Sequence, residues 1–260
     1  MIEPTLPRTA LVTGGARRIG RAITLALAEA GFAVAIHYQQ SRQSREAAEE
    51  TLAEVKRLGG QAALLRASLA DEASTARLIP DASAALGPLG VLVNNASTFE
   101  RDEWDTVTRQ SWDAHLEANL RAPFVLTQGF ARQLPADATG VVVNMLDQRV
   151  WSLTPHFVSY TVSKAALWAL TRSLALALAP RIRVNAIGPG PTLPSPRQNQ
   201  AQFKKQASSV PLGRATSPEE IARAVIALLT LPALTGQMLA LDGGQHLQWG
   251  ATAPRHLEIE

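Results

Sequence analysis

The chain has 260 residues, of which 46% are hydrophobic, 18% charged and 5% aromatic, with a formal net charge of +3. That apolar content supports a substantial core and excludes a largely disordered chain. Cysteine is absent, which excludes a disulfide framework, a thiolate metal site and a cysteine nucleophile.

Basic residues alternate with acids, as in Arg45-Glu46 and Arg101-Asp102-Glu103, so they read as solvated surface and not as a nucleic-acid footprint. The opening MIEPTLPRTALVTGG has no long apolar stretch, and the mostly apolar run Ala165–Ala179 is short for a membrane span and contains Arg172. A cytoplasmic protein with no membrane or nucleic-acid partner is the expectation. The histidines His37, His115, His156, His246 and His256 have no ligand spacing, and no metal is expected.

In chain order, short apolar runs occur at Ala10–Thr13, Phe32–His37, Ala62–Arg66, Val91–Asn94, Val141–Leu146, Arg183–Ile187 and Met238–Leu241. Helical periodicity separates them at Arg18–Ala30, Ser44–Leu58, Glu72–Leu86, Arg109–Gln133, Val158–Leu178 and Pro218–Leu229. The runs lack a polar alternate face, as strands buried on both sides do. This alternation, with no linker-like stretch, predicts one α/β domain over residues 1–260 with a doubly wound parallel sheet of about seven strands. From Gly188 to Arg214 the chain carries Pro189, Pro191, Pro194, Pro196 and Pro211, and is expected to form an irregular lid over the carboxyl edge of the sheet. Trp104 and Trp112 flank the start of the helix near Arg109 and read as packing residues.

The first strand runs into Thr13-Gly14-Gly15-Ala16-Arg17-Arg18-Ile19-Gly20, which opens the first helix. Such a turn aims backbone N–H groups and a helix N-terminus at a phosphate, with Gly14 permitting the turn and Gly20 the close packing. The second strand ends in His37-Tyr38-Gln39-Gln40-Ser41-Arg42, with no acid before Glu46. A carboxylate there would hold the ribose hydroxyl of NAD, whereas Arg17, Ser41 and Arg42 suit a 2′-phosphate, so NADP(H) is the expected cofactor.

Tyr160 and Lys164 are four apart in Tyr160-Thr161-Val162-Ser163-Lys164 and share a helix face, where a cation lowers a phenol pKa. With the glycine turn, Asn94-Asn95-Ala96 and Pro189-Gly190, this pattern resembles the short-chain dehydrogenase/reductase family over nearly the whole chain. The resemblance implies a Rossmann-type sheet flanked by helices on both faces, proton exchange at Tyr160, ribose binding and pKa tuning by Lys164, and a water relay organised by Asn119. It also implies a homotetramer built on the two long helices.

Two positions depart from the usual family pattern: Arg18 replaces a glycine, and Asp147 stands where a catalytic serine precedes the tyrosine. A carboxylate repels a developing oxyanion but accepts from amino or ring N–H groups, which suits a nitrogen heterocycle. Both departures, together with His37-Tyr38 and Ser97-Thr98-Phe99, are similar to the pteridine reductases of the family, and Asp242–Leu247 points to their bacterial dihydromonapterin or dihydrofolate reductase-like members. That likeness implies cofactor contacts at Gly14, Arg17, Arg18, Ile19, Gly20, His37, Tyr38, Ser41, Leu69, Asn95, Ala96, Ser97, Tyr160, Lys164, Pro189 and Gly190. It implies substrate contacts at Arg18, Ser97, Phe99, Asp147, Tyr160 and Pro191, with the Phe99 ring stacking a pterin.

Ser68 stands where many relatives have an aspartate near the adenine. Phe99 also reads as a plain lid contact, and Asp147 as a carboxylate capping a backbone N–H. A carbonyl reductase acting on 3-oxoacyl thioesters, and a non-catalytic NADP(H)-binding sensor, are the alternative functions.

Overall fold

The computed structural model describes residues 2–247. Seven strands, β1 (Thr9–Val12), β2 (Ala33–Tyr38), β3 (Ala62–Arg66), β4 (Val91–Asn94), β5 (Gly140–Met145), β6 (Ile182–Pro189) and β7 (Met238–Leu241), form one sheet. Its order is β3-β2-β1-β4-β5-β6-β7, and every pairing is parallel. The crossovers carry α1 (Arg18–Glu29), α2 (Arg42–Arg57), α3 (Glu72–Leu86), α4 (Arg109–Leu116), α5 (Ala122–Gln133), α6 (Val158–Ala177), α7 (Gln200–Ser209) and α8 (Pro218–Thr230). Among the described residues, no helix is long and apolar enough to cross a membrane.

The central strands are apolar on both faces because each face is covered. Val12, Val34, Ile36, Val93 and Val143 pack under α1 and α8, while Leu11, Ala35, Leu92, Val142 and Val184 face α3 and α5. The strand order reverses between β1 and β4, and their carboxyl ends open a crevice there, the position at which doubly wound sheets take ligands.

Three local features differ from the sequence expectation. The helix expected over Arg109–Gln133 is divided by a five-residue π-helical stretch, Glu117–Arg121. Pro123 lies in the first turn of α5 and has no N–H to offer the carbonyl of Asn119 four residues earlier, so regular α bonding cannot run through. The segment expected to be irregular from Gly188 begins as the end of β6 and then forms α7. A reciprocal cap starts α7, with Asn199 Oδ1 accepting from Gln202 N and Gln202 Oε1 from Asn199 N. Trp104, expected to pack, is 81% exposed.

Candidate active site

The crevice is built from strand ends. Thr13 Oγ1 follows β1 and accepts from the N–H groups of Asn95 (2.9 Å) and Ala96 (3.0 Å), which follow β4. Gly14 adopts φ +62°, and a Cβ on Gly20 would lie 2.1 Å from the carbonyl oxygen of Gly14, so α1 rises directly off the turn. The turn therefore leaves backbone and the N-terminus of α1 at the surface, next to two arginines and with no acid in the first helical turn. These are features that fit a phosphate group.

His37, expected to touch the cofactor, instead lies 2% exposed beneath this turn, where Nδ1 accepts from Gly14 N (3.0 Å) and Nε2 faces the carbonyl of Ala67 (3.3 Å). Burial lowers its pKa to about 4, so the ring is neutral and braces the turn from below. Leu69 is likewise buried, in the apolar cluster with Leu78 and Ile79. Tyr38 is partly buried at the edge of the other cluster.

At the end of β2, Ser41 Oγ caps α2 by accepting from Ser44 N (3.1 Å). Arg42 pairs with Glu46 (2.8 Å), and Arg17 reaches Gln43 (3.3 Å). Arg18 has φ +51°, a left-handed backbone of the kind that favours glycine. Its guanidinium donates to the carbonyl oxygens of Pro194 (3.1 Å) and Leu193 (3.4 Å), fastening the segment after β6 onto the glycine turn. Partial burial, then the charge of Arg17, lowers the Arg18 pKa.

On the other wall, α6 brings Tyr160 and Lys164 onto one face. Tyr160 Oη donates to Asp147 Oδ2 (2.9 Å), while Asp147 Oδ1 accepts from Arg149 N (2.8 Å) and caps a 3-10 turn, Gln148–Val150. Lys164 is buried, donates to the carbonyl of Met145 (2.8 Å), and holds its ammonium 5.7 Å from the Tyr160 ring centre. Burial pulls the lysine pKa down to about 8, opposed by the Asp147 carboxylate. The result is a phenol flanked by one carboxylate and one cation, arranged to hold and release a proton.

Phe99 meets Tyr160 edge-on, with ring centres 4.6 Å apart, and stacks on Phe157 at 4.7 Å. Arg197 covers the Phe99 ring at 5.0 Å and also donates to the Phe99 carbonyl. Asn119 ties this wall to α6. Its Oδ1 accepts from Thr98 N (2.8 Å) and Ser97 Oγ (3.1 Å), and its Nδ2 donates to Thr98 O (2.9 Å) and Ser163 Oγ (3.0 Å).

Behind the tyrosine lies a buried Asp102–Ser159–His115 chain that sequence reading missed, because its members are close only in the fold. His115 Nε2 accepts from Glu100 N (3.0 Å), which places the ring proton on Nδ1, 2.7 Å from Ser159 Oγ. Ser159 in turn donates to Asp102.

A cavity of about 290 Å³ joins these walls. The expected site residues Arg18, Ile19, Asn95, Ser97, Phe99, Asp147, Tyr160, Lys164, Pro189, Gly190 and Pro191 all line it. Gln148, Leu193, Ser195 and Gln206 also line it, and nothing in the sequence pattern had singled them out.

Residues 14–246 match the family described as Enoyl-(Acyl carrier protein) reductase. The chain belongs to the short-chain dehydrogenase/reductases. A solved FolM alternative dihydrofolate reductase 1 from Brucella canis, complexed with NADP, is similar to this chain at TM-score 0.90 and 47% identity, covering 96% of this chain and 98% of that one. A 3-oxoacyl-[acyl-carrier-protein] reductase FabG from Staphylococcus aureus is 32% identical over 247 residues, spanning 93% of this chain and 99% of that protein. A blue fluorescent protein from a metagenomic library, solved with NADPH, shares 31% identity at TM-score 0.84 over 92% of this chain and 98% of that one. The protein is thus an oxidoreductase of this family, with relatives described as a dihydrofolate reductase and as a 3-oxoacyl-[acyl-carrier-protein] reductase.

Proposed function

We propose that this reductase uses NADPH to reduce a pterin or dihydropterin ring. The observation that carries the reading is the pairing of Asp147 with Tyr160 in a cavity walled by Phe99. The likeness to the Brucella NADP-bound dihydrofolate reductase supports it. Gly14, Gly20 and the α1 N-terminus would hold the cofactor phosphates, with Arg17, Ser41 and Arg42 near a 2′-phosphate and Lys164 on the ribose. NADPH supplies the hydride.

Tyr160 Oη then gives its proton to the reduced ring, and the Lys164 ammonium stabilises the phenolate left behind. Asp147 accepts from ring or amino N–H and keeps the phenol oriented through its 2.9 Å hydrogen bond. Phe99, backed by Phe157, offers an aromatic wall on which a flat heterocycle stacks.

Asn119 holds the Ser97–Phe99 wall and, with its carbonyl left without a proline partner, organises a water relay. The homotetramer would form on α4–α5 and on the outward face of α6, where Val162, Ala165, Ala169 and Leu176 are exposed, and light scattering tests it.

NADPH oxidation followed by absorbance, with dihydromonapterin, dihydrobiopterin and dihydrofolate set against an acetoacetyl thioester, tests the reading. Pterin-dependent oxidation is expected. The second reading, 3-oxoacyl-thioester reduction, is favoured by the FabG likeness, and thioester turnover with silent pterins would establish it instead.

A further inference from the structure

Among the described residues, four buried side-chain polar atoms have no hydrogen-bond partner: Asn94 Oδ1, Gln148 Oε1, Thr161 Oγ1 and Ser195 Oγ. Two of these belong to residues that line the same cavity, Gln148 on the connection from β5 to α6 and Ser195 on the segment between β6 and α7. Buried polar groups in folded proteins are nearly always paired, because leaving one unpaired carries the full desolvation cost. Two such groups on residues lining one cavity point to an occupant that draws them into pairing.

The neighbouring polar groups already hold partners within the protein. Asp147 receives Tyr160 and the N–H of Arg149. The amides of Gln198 and Gln206 bond to one another at 2.9 Å, and the Asn95 amide donates to the Thr13 carbonyl at 2.8 Å. Gln148 differs from these. It is 5% exposed, and its backbone is fixed by the Asp147 cap and by its carbonyl accepting from Trp151 N (3.0 Å) and Ser152 N (3.2 Å). Its side-chain Oε1 is left without a partner. Ser195 is equally fixed in the backbone, its N–H donating to Gln198 Oε1 (3.1 Å) and the preceding carbonyl held by Arg18.

We propose that Gln148 and Ser195 are specificity-determining residues that clasp the amino-lactam edge of a heterocyclic substrate, the Gln148 carboxamide pairing with the exocyclic N–H and Ser195 Oγ–H with a ring nitrogen or carbonyl oxygen. The inference rests on the pterin reading above and names the part of the ring that this site reads. A carboxamide presents acceptor and donor side by side, which matches an edge carrying N–H beside C=O. The reacting end of a 3-oxoacyl thioester has no N–H, and would leave Gln148 Oε1 as unpaired as it is now. Sites built to hydrogen-bond a group reject analogues that lack it far more strongly than apolar pockets reject a missing methylene.

The test is calorimetric binding, to the protein loaded with NADP+, which has no hydride to deliver, of a 2-amino-4-oxo dihydropterin and of its 2-desamino analogue. Wild type, Gln148→Leu, Gln148→Glu and Ser195→Ala are compared, with NADPH affinity measured separately. Wild type is expected to prefer the amino compound. Gln148→Leu should bind it about ten- to hundred-fold more weakly and discriminate little between the two compounds. Gln148→Glu, which keeps an acceptor, should retain more of the preference, and Ser195→Ala should weaken both compounds. NADPH affinity should stay within about twofold throughout, which also reports that each variant is folded.

Wild-type binding of the pterin with Gln148→Leu and Ser195→Ala indistinguishable from it overturns the clasp and leaves the pterin reading standing. Failure of the wild type to bind any pterin while it binds NADPH overturns the pterin reading and the clasp together.

Discussion

Replacing Asp147 by serine changes the charge at the reacting centre and little else, which makes it the sharpest probe of substrate class. The substitution removes the carboxylate that accepts from Tyr160 at 2.9 Å and leaves a hydroxyl able to take over the 2.8 Å capping bond from Arg149 N. A hydrogen bond to a carboxylate contributes about 1.5–3 kcal/mol, so one such bond made to a pterin N–H corresponds to a roughly ten- to hundred-fold loss in kcat/KM. A serine hydroxyl donates where the carboxylate repelled, so turnover of an acetoacetyl thioester should hold or rise. Serine caps a helical turn about as well as aspartate, so the short turn after position 147 should keep its cap, and any fall in Tm should stay within about 2–4 °C. The assay is the ratio of the two kcat/KM values in wild type and variant, with Tm recorded for both. An equal fractional loss on pterin and thioester at a Tm within that range would refute the nitrogen-acceptor role.

Tyr160→Phe removes the proton donor but leaves the ring against Phe99, so turnover should fall by orders of magnitude while NADPH affinity, read by fluorescence quenching, stays close to wild type. The Lys164 pKa near 8 means that the ammonium is lost as pH rises through that value, and kcat/KM should decline above about pH 8; a flat profile to pH 10 would exclude an ammonium role. His37 binds a proton at about pH 6.5 when unfolded and only near 4 when folded, so the unfolded chain holds more protons between those values. Stability contributed by its neutral ring is complete above about pH 6.5 and lost progressively towards pH 4. The loss is on the order of 3 kcal/mol and should be absent from the denaturant midpoints of His37→Gln.

The parallel sheet was legible because its strands are buried on both faces and so nearly continuous in apolar residues, with the glycine turn and the Tyr160–Lys164 spacing marking their carboxyl ends. What escaped the sequence had long-range or competing causes. Pro123 is a helix breaker, but the apolar periodicity on both sides of it suggested one unbroken helix, and only the fold shows the π-helical stretch around Asn119. The prolines after Gly188 masked the Asn199–Gln202 cap of α7, a local signal that was present. His37 looked like a ligand-facing residue at a strand end, yet strand alternation turns its ring inward under the turn. The Asp102–Ser159–His115 chain joins residues up to 57 positions apart, a pairing that no periodicity encodes. Gln148 carries no motif and is notable only for the hydrogen bonds it does not make.

Arg18 grips the segment after β6 through two main-chain carbonyl oxygens, and Arg197 grips the Phe99 loop partly in the same way. A clasp on backbone is blind to side-chain identity. Residues such as Leu193 can therefore be exchanged without undoing the fastening, so one half of the cavity is free to diversify in evolution or in the laboratory while the way it is held stays constant. Grafting the corresponding stretch from a relative of different substrate preference becomes a practical route to retargeting the enzyme, and Arg18 is the one residue such a graft has to leave in place.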